Sequence, residues 1–89
     1  MRGPEPEGPG RRTRVRAAGG RPEAVWSGGG WVAVVAVADE WEVETGWWRA
    51  GAGGPVSRAV FRVALADGRC ADLAADRLHG GWRCLRSWG

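Results

Sequence analysis

Apolar residues along this chain either alternate with polar ones or gather in short runs, and glycine-rich punctuation separates the runs. The longest apolar run opens at Trp31 and reaches Ala38, and the segment continues through Trp41 and Val43 to Trp47, Trp48 and Arg49. Val, Ala and Trp dominate it. β-Branched side chains lose χ1 freedom in a helix and pack well on a pleated surface, so a strand is predicted over Trp31–Val43. Its alternation slips once. Val32 and Val34 share one parity, Val37 and Trp41 the other. One extra residue at Val35 or Ala36 would return all four to a single side, which predicts a β-bulge there. Asp39-Glu40 leaves open a break into two strands.

The flanking pattern is similar. Thr13–Ala18 places Val15 and Ala17 on one face, Gly19-Gly20 signals a turn, and Glu23–Ser27 reads as the return strand. Ser27-Gly28-Gly29-Gly30 reverses the chain again, because glycine supplies the positive φ of a tight turn. Beyond Thr45-Gly46, the adjacent Trp47 and Trp48 must point to opposite faces if extended, and Trp48 is expected inside. Ala50–Pro55 has loop composition. Arg58–Leu65 aligns Phe61, Val63 and Leu65. A three-residue turn, Ala66-Asp67-Gly68, would pair Val63 with Ala71 and Phe61 with Leu73, keeping apolar opposite apolar. Trp82–Trp88 forms the last strand, with Trp82, Cys84 and Trp88 assigned to one face. The sum is an all-β chain: a small curled antiparallel sheet or barrel of about five to seven strands.

Length and composition sharpen this picture. The 89 residues allow one domain. Met1–Gly10 alternates Pro, Gly and Glu and is expected to be a disordered arm, leaving residues 11–89 as the domain. So short a chain buries only about 60–65% of its unfolded surface, so the seven Trp weigh heavily. Trp41, Trp48, Phe61, Val63, Leu73 and Trp82 are the expected core. The basic residues are all Arg, the formal net charge is +3, and the positive excess suits a polyanionic partner. Several of these Arg, including Arg11, Arg12, Arg14 and Arg16, lie near the N-terminus. No secretory signal is evident, and the apolar run falls short of the roughly 20 residues a membrane helix needs, so a cytoplasmic protein without membrane contact is expected.

Catalytic chemistry finds little to use. Cys70, His79 and Cys84 match no zinc spacing and lack a fourth ligand. The two cysteines read as small apolar fillers, with a facing pair on neighbouring strands left open. His79 lies in a turn. Ser27, Ser57 and Ser87 lie in loops or at an edge. Asp39, Glu40, Glu42 and Glu44 alternate around Trp41 as a solvated face, and Gly51, Gly53 and Gly54 lack the Lys and helix of a phosphate loop. No enzyme, metal or cofactor is therefore expected. The suggestive constellation is aromatic plus cationic: Trp47 and Arg49, with Trp26, Trp31, Arg58 and Arg62. Such residues either stack nucleic-acid bases or anchor a protein interface.

Trp41, Trp47-Trp48-Arg49, Phe61-Arg62-Val63 and Gly80-Gly81-Trp82-Arg83 occur in an order that resembles a small uncharacterised β-domain family of high-GC bacteria. Versions of it resemble the C-terminal domain of ImuB-type Y-family polymerase homologues. The resemblance spans Thr13 to Gly89. It departs where the family carries a bulky aromatic after the hairpin, for this chain has Cys70, Ala71 and Leu73. The implied setting is DNA repair or translesion synthesis, as an accessory module that binds a protein partner without catalysing a reaction. The alternative is a single-stranded nucleic-acid-binding β-barrel with a Trp/Arg stacking surface.

Overall fold

The computed structural model describes residues 10–45 and 56–89. Residues 1–9 of the expected arm, and the segment carrying Trp47, Trp48 and Arg49, lie outside the described residues. Seven strands are described: β1 (Arg11–Thr13), β2 (Val15–Ala18), β3 (Arg21–Ser27), β4 (Gly30–Thr45), β5 (Val56–Leu65), β6 (Cys70–Asp76) and β7 (Trp82–Trp88). They form one antiparallel sheet in the order β1-β7-β6-β5-β4-β3-β2. Its two outermost strands, β1 and β2, are consecutive in sequence and separated by Arg14 alone. The Arg14 carbonyl accepts a hydrogen bond from the Trp26 N–H at 2.9 Å. One short segment therefore serves both edges, and the sheet curls to bring them together.

Turn chemistry sets the register. Ala18 faces Arg21 and Ser27 faces Gly30, so Gly19-Gly20 and Gly28-Gly29 are two-residue hairpin turns. All four glycines have positive φ, as the mirror-image turn types favoured by strand twist demand. The β5–β6 hairpin has the three-residue turn Ala66-Asp67-Gly68. Leu65 N–H donates to the Arg69 carbonyl at 2.8 Å, and Val63 faces Ala71 as Phe61 faces Leu73. Pro22 sits in β3 where the β2–β3 register shifts, which suits a residue unable to donate to a regular ladder.

Paired residues of an antiparallel sheet share a face. The inner face carries the core: Val25, Phe61, Val63, Leu65, Ala71 and Leu73, all buried, with Val32, Val34, Val37, Trp82 and Cys84 packed against them. Trp82 lies over Phe61 with ring centroids 5.8 Å apart. The expected core residues Phe61, Val63, Leu73 and Trp82 are thus gathered.

Trp41 is not among them, and this corrects the expected core. β4 carries two irregularities against β5: one between Val34 and Ala36, as predicted, and another between Val37 and Asp39. The second passes over Ala38 and inverts the parity of everything that follows. Val37 still faces inward opposite Val63, but Trp41 pairs with Val60 on the outer face and is 36% exposed. β4 nevertheless runs unbroken through Asp39-Glu40.

A bulge in β7 has the same effect. Leu73 faces Cys84 and Asp72 faces Arg86, so Leu85 is passed over. Trp82 and Cys84 face inward, whereas Trp88 pairs with Cys70 on the outer face. The assignment of Trp88 to the face of Trp82 is corrected accordingly. Cys70 and Cys84 stand on opposite faces, are both free, and do not form the facing pair that the sequence left open.

Candidate functional site: the outer face of the sheet

The two bulges bring β4, β5, β6 and β7 into a common outer surface. Trp41 on β4 and Trp88 on β7 stand on either side of Arg62 of β5, whose guanidinium carbon is 5.4 Å from each ring centroid. Arg86 stacks on Trp88 from 5.1 Å. Beneath the guanidiniums lies Asp72, 4% exposed. Arg62 donates through Nε to Oδ1 at 2.9 Å and through Nη2 to Oδ2 at 3.0 Å, a bidentate fork. Arg86 Nε donates to Oδ2 at 3.2 Å.

The electrostatics follow from this geometry. Burial pushes the Asp72 carboxyl up, but the hydrogen bonds and charges of Arg62 and Arg86 together outweigh it and hold the group below its ordinary range. Reciprocally, the Asp72 hydrogen bond and charge raise the Arg62 pKa. One carboxylate thus anchors two cations, and two half-exposed indoles frame them. Val60 and Ala74, on the same face, are fully covered. The surface is therefore backed by packed side chains.

A second Trp/Arg group occupies the outer face of the β2–β3–β4 end. Trp26 and Trp31 are directly paired and meet edge to face, with centroids 5.5 Å apart. Arg14 lies over Trp26 at 4.9 Å and Arg16 over Trp31 at 4.5 Å. Among the described residues, no carboxylate lies within ion-pair distance of Arg14 or Arg16.

The platform expected from Trp47, Arg49, Trp31, Arg58 and Arg62 is therefore redistributed. Trp47 and Arg49 lie outside the described residues. Trp31 belongs to the second group, eight residues along β4 from the position facing Arg62, roughly 25 Å of strand. Arg58 is half-buried on the outer face, opposite Val43 and Asp76. Its Nε is buried with no hydrogen-bond partner among the described residues. Arg62 alone among these occupies the centre of the first group. Asp72, Arg86, Trp88, Arg14 and Arg16 were missed. The β5–β6 register inferred from the turn already set Arg62 opposite Asp72, so that pair was within reach of sequence reasoning. Arg14 and Arg16 were also accessible, since both flank the inward Val15.

Further ion pairs lie at the surface. Arg21 pairs with Glu40 at 3.1 Å and Arg77 with Glu42 at 2.6 Å. His79 sits exposed in the β6–β7 turn, where Asp76 Oδ1 accepts from the N–H groups of Leu78 and His79 at 2.9 Å. The His79 backbone hydrogen bond leads the effects that lower the Asp76 pKa. Among the described residues, no three potential ligands converge as a metal site. None of the described residues forms a helix able to cross a membrane.

Comparison with known proteins adds no relative: no protein-family model matches the chain, and no curated protein or solved structure matches it significantly. The resemblance carried by the tryptophan motifs rests on those motifs alone.

Proposed function

We propose that the protein is a non-catalytic interaction module that docks a partner protein on the Trp41–Arg62–Trp88 surface. The observation that carries this reading is the order of that surface. Arg62 is clamped by Asp72 from below and by two indoles at equal distances from the sides. Exposed Trp and Arg side chains are the residue types that dominate interface energetics. Holding them in place before docking lowers the ordering cost of association. Arg62 and Arg86 share the one Asp72 carboxylate, so the covered group carries a net single positive charge that calls for one acidic side chain from the partner. DNA repair or translesion synthesis is the setting that the motif resemblance supplies, with the partner a component of that machinery in the cytoplasm.

The test is a pull-down from cells with damaged DNA, using the wild-type protein and the Trp41→Ala/Trp88→Ala double variant. The expected result is that repair or polymerase components bind the wild type and are lost from the variant. Equal recovery by both, with the variant folded by circular dichroism, overturns the assignment.

Single-stranded nucleic acid is the second reading, and the Arg14/Arg16/Trp26/Trp31 group favours it, for among the described residues no carboxylate pairs with either Arg. Bases stack on indoles while guanidiniums track phosphates. Oligonucleotide titration should then quench tryptophan fluorescence with a steep salt dependence. Replacing Arg14 and Arg16 by Gln should lower the log–log salt slope by about 1.4, roughly 0.7 per lost phosphate contact. An unchanged slope removes this reading.

A further inference from the structure

The curled sheet is open at one mouth of its inner face. A cavity of about 350 Å³ enters there between β1, the β3–β4 turn and the β5–β6 turn. Val25, Leu65, Ala71 and Leu73 form its apolar floor, all of them part of the core. Its rim is cationic and hydroxylic: Arg11, Arg69 and Ser27 line it, and among the described residues no carboxylate lines it directly. Arg11 faces Cys84 across the β1–β7 ladder and so shares the inner face. Arg69 is fixed at the opposite rim, where its Nη2 donates to Ser27 Oγ at 2.7 Å and its Nε to Asp67 at 2.8 Å. The charges of Arg11 and Arg69 both reach the Cys84 thiol and act against the burial that raises its pKa.

We propose that this cavity binds a small organic carboxylate, its head between Arg11 and Arg69 and its short apolar body on the Val25–Leu65–Leu73 floor. An apolar hollow with a few convergent polar groups is the usual anatomy of a small-molecule site, and the volume lies at the lower end of the roughly 300–1,000 Å³ range of such sites. The low volume limits the body to a short aliphatic chain or a single ring. The planar guanidinium matches a carboxylate head in two-point contact. This site is on the opposite face of the sheet from the Trp41–Arg62–Trp88 surface and stands independently of the proposed partner docking.

Octanoate, held below its micellar concentration, is the probe, with octanol and inorganic phosphate as controls in a calorimetric titration. Octanoate should bind about tenfold tighter than octanol, the scale of one charge-assisted hydrogen bond, and phosphate should bind more weakly than octanoate. In a Cys70→Ser background, octanoate should also slow alkylation of Cys84, which lines the cavity. Arg11→Gln and Arg69→Gln should each weaken octanoate about tenfold and leave octanol unchanged. Equal affinity for octanoate and octanol overturns the proposal, as does unprotected Cys84 or undiminished octanoate binding in both Arg variants.

Discussion

Two Trp/Arg groups share the outer face of this sheet, and they differ in one side chain. Both bring guanidiniums within 4.5–5.4 Å of indole centroids. At the β4–β7 end, Asp72 lies under the cations and ties Arg62 and Arg86 together. At the β2–β4 end, Arg14 and Arg16 meet rings but no carboxylate among the described residues. A carboxylate beneath the stack converts mobile, screened cations into fixed ones and cancels part of their charge. The anchored group suits shape-specific docking against a protein. The second group has no such acceptor among the described residues, which suits a polyanion.

Removing the difference is the most severe way to test it. Asp72→Ala leaves Arg62 and Arg86 over a covered surface without their shared acceptor. Breaking a fully buried pair costs about 3–5 kcal/mol, but both guanidiniums reach solvent, so about 2–3 kcal/mol is expected in urea unfolding. A loss below about 0.5 kcal/mol would show that Asp72 anchors nothing. Acid should reproduce part of this effect. The Asp72 pKa is depressed in the folded chain, so the folded state binds fewer protons than the unfolded state in the acid range. The stabilisation is complete above the unfolded value near 3.8 and is lost as pH falls through the lower folded value. Thermal melts between about pH 5 and about pH 2 should fall more steeply for wild type than for Asp72→Asn. Asp67, held low first by the Arg69 backbone N–H, and Asp76, held low first by the His79 backbone N–H, contribute in the same direction. Parallel curves would contradict the anchoring role. The smallest effect is expected at the other group, where Arg16→Gln removes one exposed cation–π contact. A loss of about 0.5 kcal/mol fits such a contact. A loss matching that of Asp72→Ala would erase the distinction between the two groups.

Much of the fold was legible because local chemistry dictates it. Gly19-Gly20, Gly28-Gly29 and Ala66-Asp67-Gly68 each allow few turn types, and a turn type sets a register. The pairing of Val63 with Ala71 and Phe61 with Leu73 follows from that turn. The candidate surface was less legible. It depends on bulges at Ala38 and Leu85, and nothing in the apolar pattern at either position demands an extra residue. Asp39-Glu40 hints at an irregularity, but the sequence there fits a strand break as well as a bulge. Trp41 and Trp88 were consequently assigned to the inner side, although their neighbours along the strand were placed correctly.

What the sequence determined by itself is the meander: extended segments, their turns, and an inner face built around Phe61, Val63 and Leu73. Those features arise from φ preferences and from a period of two, both of which act within a few residues. Only the tertiary structure decided which indoles face outward, that Arg62 and Arg86 share Asp72, and that Arg11 and Arg69 line one mouth of the sheet. Parity beyond a bulge, and proximity across a curled sheet, depend on where several strands close upon one another. No single stretch of the chain carries that information.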